Sequence, residues 1–240
     1  MADFHLLLWL EAPLQSWGFD SRYGRRDTLE FPTRSGILGL ICAARGAGGP
    51  QTEWLAAMSA FGQHVLCYKR PSKSDAVDLS SERMIDFQTV GTGYDEKNSW
   101  LSLFIPKTVD GTKPRGNSNG SKLTYRHYLQ DVSFAVIIEA SEKLGKEIEA
   151  ALLQPCWDIY LGRKNCVPTD LVYRGMFSSD EKAIQAAQTI ASEKGLLQTK
   201  EVLDGYFPDK GEALTLHDVP LQFGQEKRYK DRWVTIIPCQ

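Results

Sequence analysis

The sequence predicts an α+β fold: a ferredoxin-like or RRM-like βαββαβ core with an inserted thumb arm and a small β-rich C-terminal extension. Three observations predict it. Short apolar runs and segments of helical periodicity follow one another as strand, helix, strand, strand, helix, strand. A long polar stretch, residues 71–124, interrupts that order between the two central strands. Beyond residue 175 the pattern changes to one helix and two or three strands, with no Pro/Gly-rich linker before it.

The elements follow in order. His5 to Leu10 is an apolar run closed by Glu11, Ala12 and Pro13, where a strand must end. Residues 14–34 read as an arginine-rich loop. Ser35 to Arg45 places Ile37, Leu38, Leu40, Ile41 and Ala44 on one helical face and stops before Gly46. A second helix follows Pro50, with Trp54, Leu55, Met58 and Phe61 inward and Gly62 as its stop. His64 to Lys69 (HVLCYK) is the next strand.

The stretch 71–124 is rich in Ser, Asp, Lys, Asn and Gly. Inside a compact domain a structureless excursion of that length implies an arm that meets a partner. Its stems are Met84 to Val90 and Leu123 to Tyr128, which puts the thumb at about 85–124. Ser133 to Ile138 (SFAVII) is a strand, continuous with Tyr128 in its pattern. Glu142 to Leu153 is a helix, and Asp158 to Leu161 a short strand ending at Gly162. Residues 1–175 thus form the core. Residues 176–240, with a helix near 180–194 and strands at Ala213 to Phe223 and Tyr229 to Ile237, form an extension packed on it.

Bulk properties narrow the classes. A chain of 240 residues with 42% hydrophobic and 24% charged residues is an ordinary globular composition, long enough for one sizeable core. No apolar run approaches the roughly 20 residues of a membrane helix. The run at Phe4 to Leu10 lacks a basic leader, so it is read as a buried strand and not as a signal peptide. Five cysteines, at 42, 67, 156, 166 and 239, form no CxxC pair and are odd in number. They fit reduced thiols in a cytoplasmic protein, with no disulfide framework and no metal site. The net charge of −2 argues against a wholly basic nucleic-acid binder but leaves room for a local basic groove.

Three stretches place cations where such a groove would need them. The first runs through Trp17, Arg22, Tyr23, Arg25, Arg26, Arg34 and Ser35. Arginine offers phosphate a planar fork of donors and stacks on bases. Thr33 and Ser35 are natural N-cap residues, and Gly36 lets another chain approach a helix start where free N–H groups attract anions. A plainer reading has Gly36 and Gly39 packing the helix on the sheet and the arginines pairing with Asp20, Asp27 and Glu30. That reading is at least as strong for the glycines alone. For the arginines interleaved with Trp17 and Tyr23, RNA contact is favoured. The second stretch is the arm, where Lys107, Lys113, Arg115, Lys122 and Arg126 stand against Asp110 alone. The third is Tyr160 to Asn165 (YLGRKN), a glycine turn that presents Arg163 and Lys164.

Enzymatic constellations are sparse. The sequence holds no HExxH, GxSxG or GxxxxGK[ST]. His5 and His64 fall in strands and read as core or edge residues. Tyr125 to Tyr128 (YRHY), with Lys122 nearby, could supply the acid and base of a metal-free ribonuclease, as could many unrelated surface clusters.

Residues Ala12 to Gly18 (APLQSWG), Phe31 to Leu40 (FPTRSGILGL), Tyr128 to Phe134 (YLQDVSF) and Tyr160 to Pro168 (YLGRKNCVP) together resemble the fifth CRISPR-associated protein family, in its type I-E, CasD-type branch. The resemblance spans residues 4–175. It implies an RRM-like core with a thumb, present once at the foot of the Cascade backbone of repeated subunits. It implies a non-catalytic scaffold in antiviral defence that grips the 5′ handle of the CRISPR RNA and abuts the large PAM-reading subunit. Target DNA would be met only through the assembled complex, its sequence read by base pairing with the guide. No cofactor, metal or membrane is implied. In the type I-C branch the corresponding subunit is itself a metal-independent CRISPR RNA endoribonuclease using tyrosine, lysine and histidine. Here Lys122 and His127 are not adjacent, and a type I-E system uses a separate subunit for cutting.

Overall fold

The computed structural model describes residues 4–19, 21, 24–71, 83–90 and 122–239. Its strands are β1 (Phe4–Glu11), β2 (Leu14–Gln15), β3 (Arg25–Arg26), β4 (Gln63–Lys69), β5 (Arg83–Val90), β6 (Lys122–Gln130), β7 (Val132–Ala140), β8 (Tyr173–Phe177), β9 (Leu197–Asp204), β10 (Glu212–Gln222) and β11 (Arg228–Pro238). Its helices are α1 (Arg34–Ala44), α2 (Thr52–Met58), α3 (Glu142–Leu153) and α4 (Asp180–Glu193).

Seven strands form one antiparallel sheet in the order β10-β11-β9-β4-β7-β1-β8. β1 lies one strand in from the β8 edge and is buried on both faces, which is why Leu6 to Leu10 is an unbroken apolar run and not an alternating one. Leu6, Leu8 and Leu10 join Ile37, Ile41 and Ile148 of α1 and α3 in the larger core. Leu7 and Trp9 face the other way, with Ala183, Ala187 and Ala191 of α4. The small alanine faces let α4 lie close to the sheet. Each fully buried leucine stabilises the fold by about 1.5–3 kcal/mol.

Caps set the helix starts. Thr33 and Ser141 each accept a hydrogen bond from a backbone N–H three residues on, Gly36 at 3.1 Å and Leu144 at 3.4 Å. No helix among the described residues is long and apolar enough to cross a membrane. All five cysteines are free thiols, and burial pushes the Cys67 thiol up to about 12, where it is unreactive.

The second sheet is built around β6, which pairs with β5 along its whole length. It also pairs with β2 at its end (Leu14 with Gln130) and in parallel with β3 (Arg25 with Tyr125, Arg26 with Arg126). β5 and β6 are the expected arm stems; the tip of the arm lies outside the described residues.

Two expectations need correction. Asp158 to Leu161 is not a strand. The Leu161 N–H donates to the Cys166 carbonyl at 2.8 Å and the Cys166 N–H to Arg163 at 2.8 Å, closing a turn on itself. The strand beside β1 is β8, whose signal is broken by Gly175 at φ +136. Nor is Tyr128 to Ile138 one strand. Asp131, at φ +49, turns the corner from β6 in the small sheet to β7 in the large one. Its N–H donates to Pro13, and the buried Gln15 amide ties the Leu10 and Val132 carbonyls together at 3.1 and 2.8 Å. The last three strands add to the free edge of β4 through β9.

Candidate nucleic-acid interface

A groove crosses the face where the 16–27 segment, the first turns of α1 and the β10–β11 turn meet. Two adjoining cavities of about 550 and 500 Å3 share Gly18, Ser21, Ser35, Lys227 and Tyr229 and so form one trough. Arg26, Arg163 and Lys227 supply its cations and Asp27 and Asp218 its acids.

Glycines make the trough possible by letting backbones touch. A Cβ on Gly36 would lie 2.9 Å from the Trp17 ring and from the Thr33 hydroxyl. Gly162, at φ +97, is packed more tightly: its Cβ would meet the Ser16 carbonyl oxygen at 1.7 Å. The 161–166 turn thereby docks on the first loop, with the Ser16 N–H donating to Leu161 at 3.1 Å.

Arg163 is the latch of that turn. Its Nη1 donates to the His127 carbonyl at 2.9 Å and its Nη2 to the Arg26 carbonyl at 2.8 Å. Its guanidinium lies over the Tyr128 ring, 4.5 Å from the centroid. Arg163 therefore fixes the backbone that carries Arg26. Arg25 and Arg26 are exposed, Arg126 is half-buried and Lys164 is exposed beside the turn. A second tie holds the hairpin stem to the same loop, with Arg83 and Lys200 both on Glu30 at 3.2 and 2.5 Å. The hydrogen bond from Lys200 leads in holding the Glu30 carboxyl below its usual range.

Two residues expected at the interface are inside the protein. Trp17 is 1% exposed; its N–H donates to the Thr28 hydroxyl and its indole to Gln15. It packs against Gly36 and has no face for a base. Arg34 is 4% exposed, donating through Nη1 to Asp204 at 2.9 Å and through Nη2 to the Met58 and Phe61 carbonyls. The expected anion site at the start of α1 is also taken. Asp218 accepts from the Arg34 N–H at 2.7 Å and Thr33 from Gly36, so these N–H groups are already paired where Thr33, Ser35 and Gly36 line the groove. The plainer reading of Gly36 as a packing residue is the one the geometry supports. Arg22 lies outside the described residues, as do Lys113 and Arg115; Lys122 opens β6.

Sequence reasoning missed the far wall, which consists of Trp157, Phe223, Lys227 and Tyr229. Trp157 follows α3 in a stretch without periodicity, and the other three sit at a strand turn. No local pattern marks them, because only the fold brings them to the groove.

Among the described residues no group of three or more His, Cys, Asp or Glu could hold a metal ion. His127 and Tyr125 share a face of β6, as alternation requires, but His127 is 8% exposed while Tyr125 is exposed. Its Nε2 is buried and meets no hydrogen-bonding partner.

Comparison with known proteins gives the family. The family described as "CRISPR-associated protein (Cas_Cas5)" matches residues 5–235. The CRISPR system Cascade subunit CasD of Escherichia coli (strain K12) is 28% identical over 234 residues, covering 94% of each chain. A chain of a solved "CRISPR RNA-guided surveillance complex" superposes with a TM-score of 0.69 at 27% identity, over 98% of this chain and 89% of that one. A solved "Cas protein" at 22% identity and TM-score 0.58, over 98% and 94%, shares the fold.

Proposed function

The chain belongs to the CRISPR-associated Cas5 family, and from that premise we propose that it is a non-catalytic RNA-binding scaffold subunit of a type I-E Cascade surveillance complex. It grips the 5′ handle of the CRISPR RNA in the groove and joins the backbone subunits to the large PAM-reading subunit in the cytoplasm. Target DNA is met only through the assembled complex. The observation that carries this reading is the groove itself. Exposed Arg26, on a strand pinned by Arg163, lines it with Lys227 over a floor opened by glycine, and exposed Arg25 precedes it on that strand. In a chain of net charge −2, a trough lined by Arg26, Arg163 and Lys227 suits a phosphate backbone.

The strand order supports reading β1, β4, β7 and β8 with α1 and α3 as a ferredoxin-like core, since first, second, third and fourth strands lie as fourth-first-third-second. The β5–β6 stems support the thumb, and β9–β11 the extension on residues 176–240. The burial of His127 supports a scaffold without ribonuclease activity, because an acid–base residue must reach the 2′-hydroxyl it serves.

Recovery of the tagged chain from its native cells tests the proposal, with mass spectrometry of the proteins and sequencing of the RNA. Backbone and large subunits with repeat-derived RNA are expected; the chain alone, or unrelated RNA, overturns it. Incubated alone with repeat RNA in EDTA, the chain should yield no discrete products. Likewise His127→Ala should leave CRISPR RNA maturation intact in cells that hold the processing subunit.

A further inference from the structure

Trp157 is 49% exposed on the wall of the larger cavity, although tryptophan is highly buried on average. Neither the core nor the cation set of the groove uses its ring. Its position is nonetheless firmly held. The Trp157 N–H donates to the Ala43 carbonyl at 3.3 Å and the Cys156 N–H to Ala44 at 2.8 Å, both at the end of α1. Phe223, distant in sequence, is tied to the same segment: its N–H donates to the Pro50 carbonyl at 2.9 Å. The 43–50 turn thus anchors two aromatic residues that line one cavity, with Tyr229 as a third. Gly48 lies against the indole edge, where a Cβ would sit 3.5 Å from Cη2, and Gly49 leaves its own surroundings open.

We propose that this cavity receives a single unstacked nucleobase of bound RNA, with Trp157 as its stacking platform. The inference rests on the RNA-binding reading above and goes beyond it, because it gives the chain a direct contact with one base. At about 550 Å3 the cavity is in the range that holds a small planar ligand. Among small and polar residues and Asp27, its lining offers aromatic rings on which a base stacks, and Arg26 and Lys227 to hold the phosphates on either side of it. The aromatic wall comes partly from the core, through Trp157, and partly from the C-terminal strands, through Phe223 and Tyr229. The pocket therefore exists only when those strands are in place.

The test uses the full chain in its complex and handle RNA carrying an abasic nucleotide at each position in turn. In the wild type one position is expected to cost about tenfold in affinity, the scale of one base–aromatic stack. Trp157→Ala should lose about the same with intact RNA, lose nothing more at that position, and keep the wild-type salt slope. Trp157→Phe should retain the position effect. Handle RNA that binds with no position coupled to Trp157 overturns this inference alone. So does a Trp157→Ala chain that binds RNA normally but drops its protein partners, since the indole then faces protein. Failure of the wild-type complex to bind handle RNA at all overturns the RNA-binding reading as well.

Discussion

Arg232 and Asp218 meet as a bidentate pair, Nε to Oδ1 at 2.7 Å and Nη2 to Oδ2 at 2.8 Å, beneath the groove. Neither stands alone. Arg232 also donates to Asp204, Asp204 accepts from Arg34, and Asp218 accepts from the Arg34 N–H. Two arginines and two aspartates thus lock the start of α1 to the end of β9 and to β10 and β11. Asp218→Ala would leave two buried guanidinium groups on one carboxylate and orphan a helix N–H. The expected loss is about 3–5 kcal/mol, as for other broken buried pairs. Urea unfolding of the chain measures it, and a loss near zero would refute the lock.

Gly162 and Gly49 make a controlled pair. Both have positive φ, +97 and +80, but only Gly162 is met by another backbone. Gly49→Ala should therefore cost about 1 kcal/mol from conformation alone. Gly162→Ala should cost more than about 2 kcal/mol, because the turn must also leave Ser16. The same urea titration compares them; equal costs would show that the Ser16 contact is not the cause.

His64 gives stability a pH dependence. Burial opposes charge on the ring, but Asp180 at 3.2 Å and Glu201 at 3.3 Å outweigh it, and its pKa is raised. A raised value means the contribution is complete below about 6.5 and fades as pH climbs through the folded value. His64 lowers the Asp180 carboxyl in return, chiefly by their hydrogen bond, so the pair stays intact well below neutrality. The melting temperature of the wild type should exceed that of His64→Gln most at pH 6 and least at pH 8.5. A difference that grows with pH would contradict this.

Arg25 and Arg26 are exposed where Arg34 is not, so the proposed phosphate path is tested at them. Each phosphate contact on a single strand contributes about 0.7 to the salt slope. Replacing Arg22, Arg25 and Arg26 together with alanine should weaken handle binding and flatten the slope by about 2. Replacing Lys164, which does not line the groove, should do less. Wild-type affinity and slope in the triple variant would move the phosphate path elsewhere.

The sequence made the core legible because its signals are local. The buried run at Leu6 to Leu10, the face of α1, the cap at Thr33 and the stems of the hairpin each announce themselves within a few residues. β8 did not, because Gly175 interrupts its pattern. Trp17 and Arg34 misled for a related reason. An aromatic among arginines, or an arginine at a helix start, reads as a ligand contact until its partners are known. Those partners, Thr28, Asp204 and Asp218, lie up to 184 positions away. Trp157 and Phe223 went unseen for the same reason, since a shared hydrogen-bonding segment leaves no mark on either neighbourhood.

The addition of β9 to the free edge of β4 sets a limit on how far the chain can be shortened. From His64 to Lys69, β4 pairs with β9 on one side and β7 on the other. A chain cut before β9 would present one flank of β4 unpaired, a mostly buried strand from inside the sheet whose register on that flank shifts only between Cys67 and Tyr68. Such a rim templates the addition of another chain. The C-terminal strands thus act as a solubility guard for the core, and truncated chains are expected to assemble with one another by strand exchange at that rim.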